Sequence, residues 1–156
     1  IVHIGQALDP ALGAAAQRTM MQCPDYRWLG GLPHDQTRRR IACARALVHM
    51  SRIEGGANVV IEAVRSQVPV LASRIDGNVG LLGHDYAGYF PVGDAAALAR
   101  LMTRLLDEPA FGEHLAAQCA LRAPQFDPAL EAAAVRGLLA DLLDRGPPRR
   151  GPQSAA

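Results

Sequence analysis

The amino-acid sequence predicts an α/β fold in which a parallel, doubly wound sheet carries helices on both faces. Short apolar runs with strand character alternate with longer stretches of helical periodicity, and turns rich in Gly, Pro or Asp separate most of them. The scale also fits: 156 residues, 49% of them hydrophobic, are enough to bury one core. Strand, helix and strand at these intervals imply right-handed crossovers. In such sheets ligands sit outside the carboxyl ends of the strands.

Taken in order, Ile1-Val2-His3-Ile4-Gly5 reads as part of a buried strand running into a glycine turn. It starts without Met and without signal-peptide features, so a chain truncated at its beginning is expected. Asp9 is placed to cap a helix with Pro10 at its first position, and the alanine-rich run to about Gln22 is a good helix former. Cys23-Pro24-Asp25 breaks it, Tyr26-Arg27-Trp28-Leu29 is a short strand, and Gly30-Gly31-Leu32-Pro33 is turn chemistry. Helix resumes at His34 or Asp35 and runs to Arg45.

Ala46-Leu47-Val48-His49-Met50 is the next strand, a helix follows from about Ala57 to Gln67, and Pro69-Val70-Leu71-Ala72-Ser73 is a strand again. Gly77, Gly80, Gly83, Gly88 and Gly93 then predict a region that is mostly loop, with Tyr89-Phe90-Pro91-Val92 as a short strand. Asp94 caps a helix whose Leu98, Leu101, Met102 and Leu105 recur at helical spacing until Pro109. Residues 111–122 read as helix. Asp127-Pro128 opens the last one, with Val135, Leu138, Leu139 and Leu142 on one face, packed against the sheet or a missing partner. The organisation is a domain over residues 1–144 and a tail, 145–156, whose Arg-, Gly- and Pro-rich composition predicts disorder.

Composition excludes several functions. Sixteen basic and fifteen acidic residues give a net charge of +1, which is no field for holding nucleic acid. No apolar run approaches the roughly 18 residues of a membrane span. Cys23, Cys43 and Cys119 are odd in number and widely spaced, so they are expected as buried free thiols in a reducing, cytoplasmic setting. His3, His34, His49, His84 and His114 have no HxxxH or HExxH spacing, and no metal site is expected.

The chemistry concentrates in residues 51–63. Gly55-Gly56-Ala57 lets a ligand approach the backbone, and the free N–H groups at the start of the following helix suit a diphosphate. Glu62 lies four residues beyond Asn58 on the same face and leans back toward that end. A carboxylate there repels phosphate, so its expected partner is a neutral diol such as a ribose. Glu54 precedes the turn at a strand end, where it can meet a sugar or charge developing at the anomeric carbon. The bland alternative makes Glu54 a surface loop carboxylate and pairs Glu62 with Arg65 or Arg52. Asp76, Gly77 and Asn78 form a second strand-end loop facing the donor sugar or serving turn geometry. Arg52 and His34 are further candidates.

Glu54, seven intervening residues, then Glu62-Ala63, with Pro69-Val70-Leu71-Ala72-Ser73 after them, resembles the EX7E signature of retaining GT-B glycosyltransferases of family 4. The resemblance implies a Rossmann-like, C-terminal donor-binding domain, truncated at its N-terminus and holding a UDP-sugar without a metal or other cofactor. No DxD motif occurs. Residue by residue it implies Glu62 on the ribose, Asn58 and Val59 on the diphosphate, and Glu54 on the sugar as the catalytic member. More narrowly, residues 51–60, 72–83 and 88–94 resemble the selenosugar synthases of selenoneine biosynthesis, which join selenophosphate to the sugar of a UDP-sugar. His84 departs from that pattern, standing where an acidic residue is expected. The alternatives are a general family 4 hexosyltransferase with a carbohydrate or lipid-linked acceptor, and a non-catalytic sugar-nucleotide-binding module. With the N-terminal acceptor domain missing, the fragment alone is expected to be inactive.

Overall fold

Every described strand is short and pairs in parallel, as crossovers through helices require. The computed structural model describes residues 1–144; the tail expected to be disordered, 145–156, lies outside them. The elements are β1 (Val2–His3), α1 (Pro10–Gln22), β2 (Arg27–Trp28), α2 (His34–Ala42), β3 (Leu47–His49), α3 (Asn58–Arg65), β4 (Val70–Ser73), α4 (Asp76–Leu82), β5 (Tyr89–Phe90), α5 (Ala95–Asp107), α6 (Pro109–Arg122), a 3-10 turn (Ala123–Phe126) and α7 (Pro128–Asp144). The expected α/β class and parallel pairing are present, but the strands form two sheets. β1 pairs only with β2, Val2 opposite Arg27, while β3, β4 and β5 form the second sheet in that order. Among the described residues no strand bridges β1 and β3.

The core lies around β4. All four of its residues are buried, as expected of a strand covered on both faces. Val60, Ala63 and Val64 of α3 cover one side of the core, and Phe111, Leu115 and Cys119 of α6 extend it. α3 is held by spacing: its apolar positions recur at helical period on one face, and its solvent side carries Asn58 and Arg65.

Capping follows the sequence closely. Asp9 Oδ1 accepts the Ala11 N–H at 2.8 Å and Asp94 Oδ1 accepts the Ala97 N–H at 2.8 Å, each ahead of a helix of 13 residues.

Several expectations fail. The opening strand is exposed at both residues, because β2 is its only partner and α1 buries only Gly13 and Ala16. Asp76, Gly77 and Asn78 are the first turn of α4 instead of a loop. Glycine lowers the helix propensity there, but tertiary contacts override it. Asn78 and Leu82 are buried, and the Tyr89 hydroxyl donates toward Asn78 O at 3.2 Å and Gly83 O at 2.8 Å; Gly83, at φ 91°, ends the helix. Cys23 and Cys43 are exposed, and only Cys119 is a buried thiol. α7 buries none of its residues, so Val135, Leu138, Leu139 and Leu142 remain open to solvent. No helix among the described residues is long and apolar enough to cross a membrane.

Candidate functional site

Two loops leave the carboxyl ends of adjacent parallel strands and brace each other. The first runs from β3 through Ser51, Arg52, Ile53, Glu54, Gly55 and Gly56 into α3; the second runs from β4 through Arg74 and Ile75 into α4. Ser73, fully buried at the end of β4, donates its hydroxyl to Ser51 O at 2.5 Å. Asn78 is also fully buried and donates from Nδ2 to Ser73 O at 2.8 Å. Gly77 is a glycine by necessity: a Cβ there would stand 2.1 Å from Glu54 O. Asn78 and Gly77 therefore support the loop bearing Glu54, while Asp76 stays exposed at the start of α4.

At the entrance to α3 the helix start is uncapped by any side chain and open to solvent. Ala57 is the N-cap residue and supplies no side-chain hydrogen bond, its carbonyl accepting from Val60 and Ile61. The Asn58 and Val59 N–H groups precede those bonds at the positive end of the helix dipole. Gly55 and Gly56 are exposed, and a Cβ on either would meet nothing within 4 Å, so the space before them is open.

The two glutamates are not ordinary surface charges. The Glu54 side chain is 36% exposed and accepts the Ser51 hydroxyl at 2.8 Å. The Glu62 side chain is 17% exposed, its Oε2 is buried without a hydrogen-bond partner, and its Oε1 stands 2.5 Å from Nε2 of His34. The arginine pairing of Glu62 is thus replaced by a histidine from the first turn of α2. His34 is itself 75% exposed. Arg52 is exposed and forms no ion pair among the described residues.

Sequence reasoning passed over His49, Ser51 and Ser73. His49 ends β3, and its Nε2 lies 3.2 Å from the Ser51 hydroxyl. Burial lowers its pKa, opposed by the nearby Glu54 charge and by the neighbouring Asn78 side chain. The signal was available: a histidine closing an apolar strand, at the strand end where such folds bind ligands. No group of three or more His, Cys, Asp or Glu stands together as a metal site among the described residues.

A sequence pattern described as "Glycosyl transferases group 1" matches residues 24–125, roughly two thirds of the chain. The chain belongs to the group 1 glycosyl transferases. Both braced loops and both glutamates fall inside the matched segment. A relative from Xenopus tropicalis, glycosyltransferase 1 domain-containing protein 1, is 27% identical over 106 residues, covering 68% of this chain and 30% of that protein.

Among solved structures, Anabaena HepE in complex with UDP-glucose superposes with a TM-score of 0.79 at 18% identity, over 90% of this chain and 40% of that one. Sucrose-phosphate synthase from Thermosynechococcus elongatus gives 0.73 at 22% identity, over 94% of this chain and 39% of that one. The fold is the Rossmann-like domain of GT-B transferases. The chain spans between 30% and 40% of the length of these proteins.

Proposed function

We propose that the chain is the sugar-nucleotide-binding part of a glycosyltransferase and takes a UDP-sugar. The observation that carries this reading is the uncapped α3 entrance flanked by Glu54 and Glu62, in a chain of this family. HepE, similar in fold, is known in complex with UDP-glucose and with UDP and glucose. The Asn58 and Val59 N–H groups hold the diphosphate, with Gly55 and Gly56 leaving room for its approach. Glu62 accepts the ribose hydroxyls, which displace the exposed His34 ring from Oε1. Glu54 meets the donor sugar, where a carboxylate stabilises positive charge developing at the anomeric carbon. No step calls for a metal. Transfer requires an acceptor side facing this one, so the chain by itself binds donor without turning it over.

Charge-assisted hydrogen bonds of the Glu62 kind contribute about 1.5–3 kcal/mol. Glu62→Ala should therefore weaken UDP binding by about tenfold or more, read by isothermal titration. Unchanged affinity would reject the ribose assignment.

The acceptor reading is carried by sequence: residues 51–60 and 72–83 resemble the selenosugar synthases, which points to selenophosphate. None of the matched proteins described above is named as such an enzyme. A longer protein containing this chain should convert UDP-sugar with selenophosphate. Turnover with carbohydrate acceptors alone would leave the general hexosyltransferase reading in its place.

A further inference from the structure

β3 ends on a histidine for which the donor reading has no use. His49 is 9% exposed, and its ring faces the Ser51 hydroxyl and the Asn78 side chain. Counting protons gives the contacts a direction. The Ser51 hydroxyl has one hydrogen, and it goes to Glu54 Oε1 at 2.8 Å, since an ionised carboxylate has none to give. The 3.2 Å contact between Ser51 Oγ and His49 Nε2 is then donated by the ring, which places the ring proton on Nε2. His49 Nε2 and Glu54 Oε1 are 3.8 Å apart, too far for a direct hydrogen bond, so the ring acts through the hydroxyl.

The far side of this chain is held just as firmly. Asn78 Nδ2 is committed to Ser73 O, and Ser73 Oγ to Ser51 O, so the backbone beneath the Ser51 hydroxyl is fixed from β4. His49 Nδ1 and Asn78 Oδ1 are both buried without a hydrogen-bond partner. Two unpaired acceptors cost stability, and an apolar pair at the same place would not. A polar group maintained at that cost, at a strand end behind the site, is better explained by orientation of Glu54 than by packing.

We propose that His49 is a positioning residue for Glu54, acting through the Ser51 hydroxyl to hold the carboxylate in the orientation that meets the donor sugar. The proposal deepens the donor reading and rests on its placement of Glu54. Because the relay touches neither ribose nor diphosphate, its loss should be felt by the sugar and not by the nucleotide.

The test compares affinities of the chain for UDP and for UDP-glucose by isothermal titration. Ser51→Ala should weaken UDP-glucose about tenfold and leave UDP within about twofold, and Ser51→Thr, which keeps the hydroxyl, should restore it. His49→Gln, which retains a donor near Nε2, should stay close to wild type, while His49→Leu should behave like Ser51→Ala. Circular dichroism melting checks that each variant is folded. If Ser51→Ala lowers both affinities equally, or neither, while Glu54→Ala selectively weakens UDP-glucose, the relay is wrong and the donor reading stands. A wild-type chain that binds neither ligand overturns both.

Discussion

Two strand–helix–strand units in this chain share one grammar and have opposite fates. In β3–α3–β4, the side chains of Val60, Ala63, Val64, Val70, Leu71 and Ala72 are completely buried. In β1–α1–β2, Val2, Leu8, Leu12 and Met21 are exposed, and α1 buries only Gly13 and Ala16. Both units pair in parallel and both helices are followed by a strand in register with the one before. The difference lies in what stands behind them. β4 has a strand on each side, and α6 packs on α3, whereas among the described residues β1 and β2 pair with each other alone, beside an alanine-rich helix. The loops bearing the candidate site hang on the buried unit, where a shift of a strand end is resisted by the whole core.

Leu71→Ala and Leu12→Ala draw the contrast most sharply. The first removes a fully buried side chain from β4 and should cost about 2–5 kcal/mol in urea denaturation. The second sits on the exposed side of α1 and should change stability by less than about 0.5 kcal/mol. Equal losses would break the comparison and make the first unit part of the same core.

A smaller effect separates two glycines within the site. Gly77→Ala forces a Cβ against the Glu54 carbonyl and should cost about 1–3 kcal/mol, because backbone must move. Gly55→Ala enters open space at a backbone conformation that does not require glycine, and its unfolding midpoint should match wild type. A stable Gly77→Ala protein would mean that the two loops are not braced as their geometry indicates.

Much of the fold was legible because its signals are local. Asp9 and Asp94 cap where their side chains can reach the N–H groups of the first turn, and residues 70–73 read as a strand because every side chain in them is apolar or small. The α4 segment was misread because glycine spacing reports only backbone freedom. What makes 76–82 helical is the burial of Asn78 and Leu82 and the reach of Tyr89 from β5, which glycine spacing does not record. In the candidate site, Glu54, Glu62 and the Gly55-Gly56 turn were proposed from spacing, and the structure sets them on the loop after β3 and on α3. His34 was recognised as a candidate, but its partner came from 28 residues away across α2 and α3.

By itself, then, the sequence determined the strands, most helix boundaries, the parallel class and the stretch proposed to hold the donor. These depend on periodicity, capping and glycine placement, which act within a few residues. Tertiary structure alone decided which unit is the core, that Asn78 is an internal brace, that Glu62 meets His34, and that His49 stands behind Ser51 and Glu54. Each of these is set by burial and by hydrogen bonds between strand ends that only folding brings together.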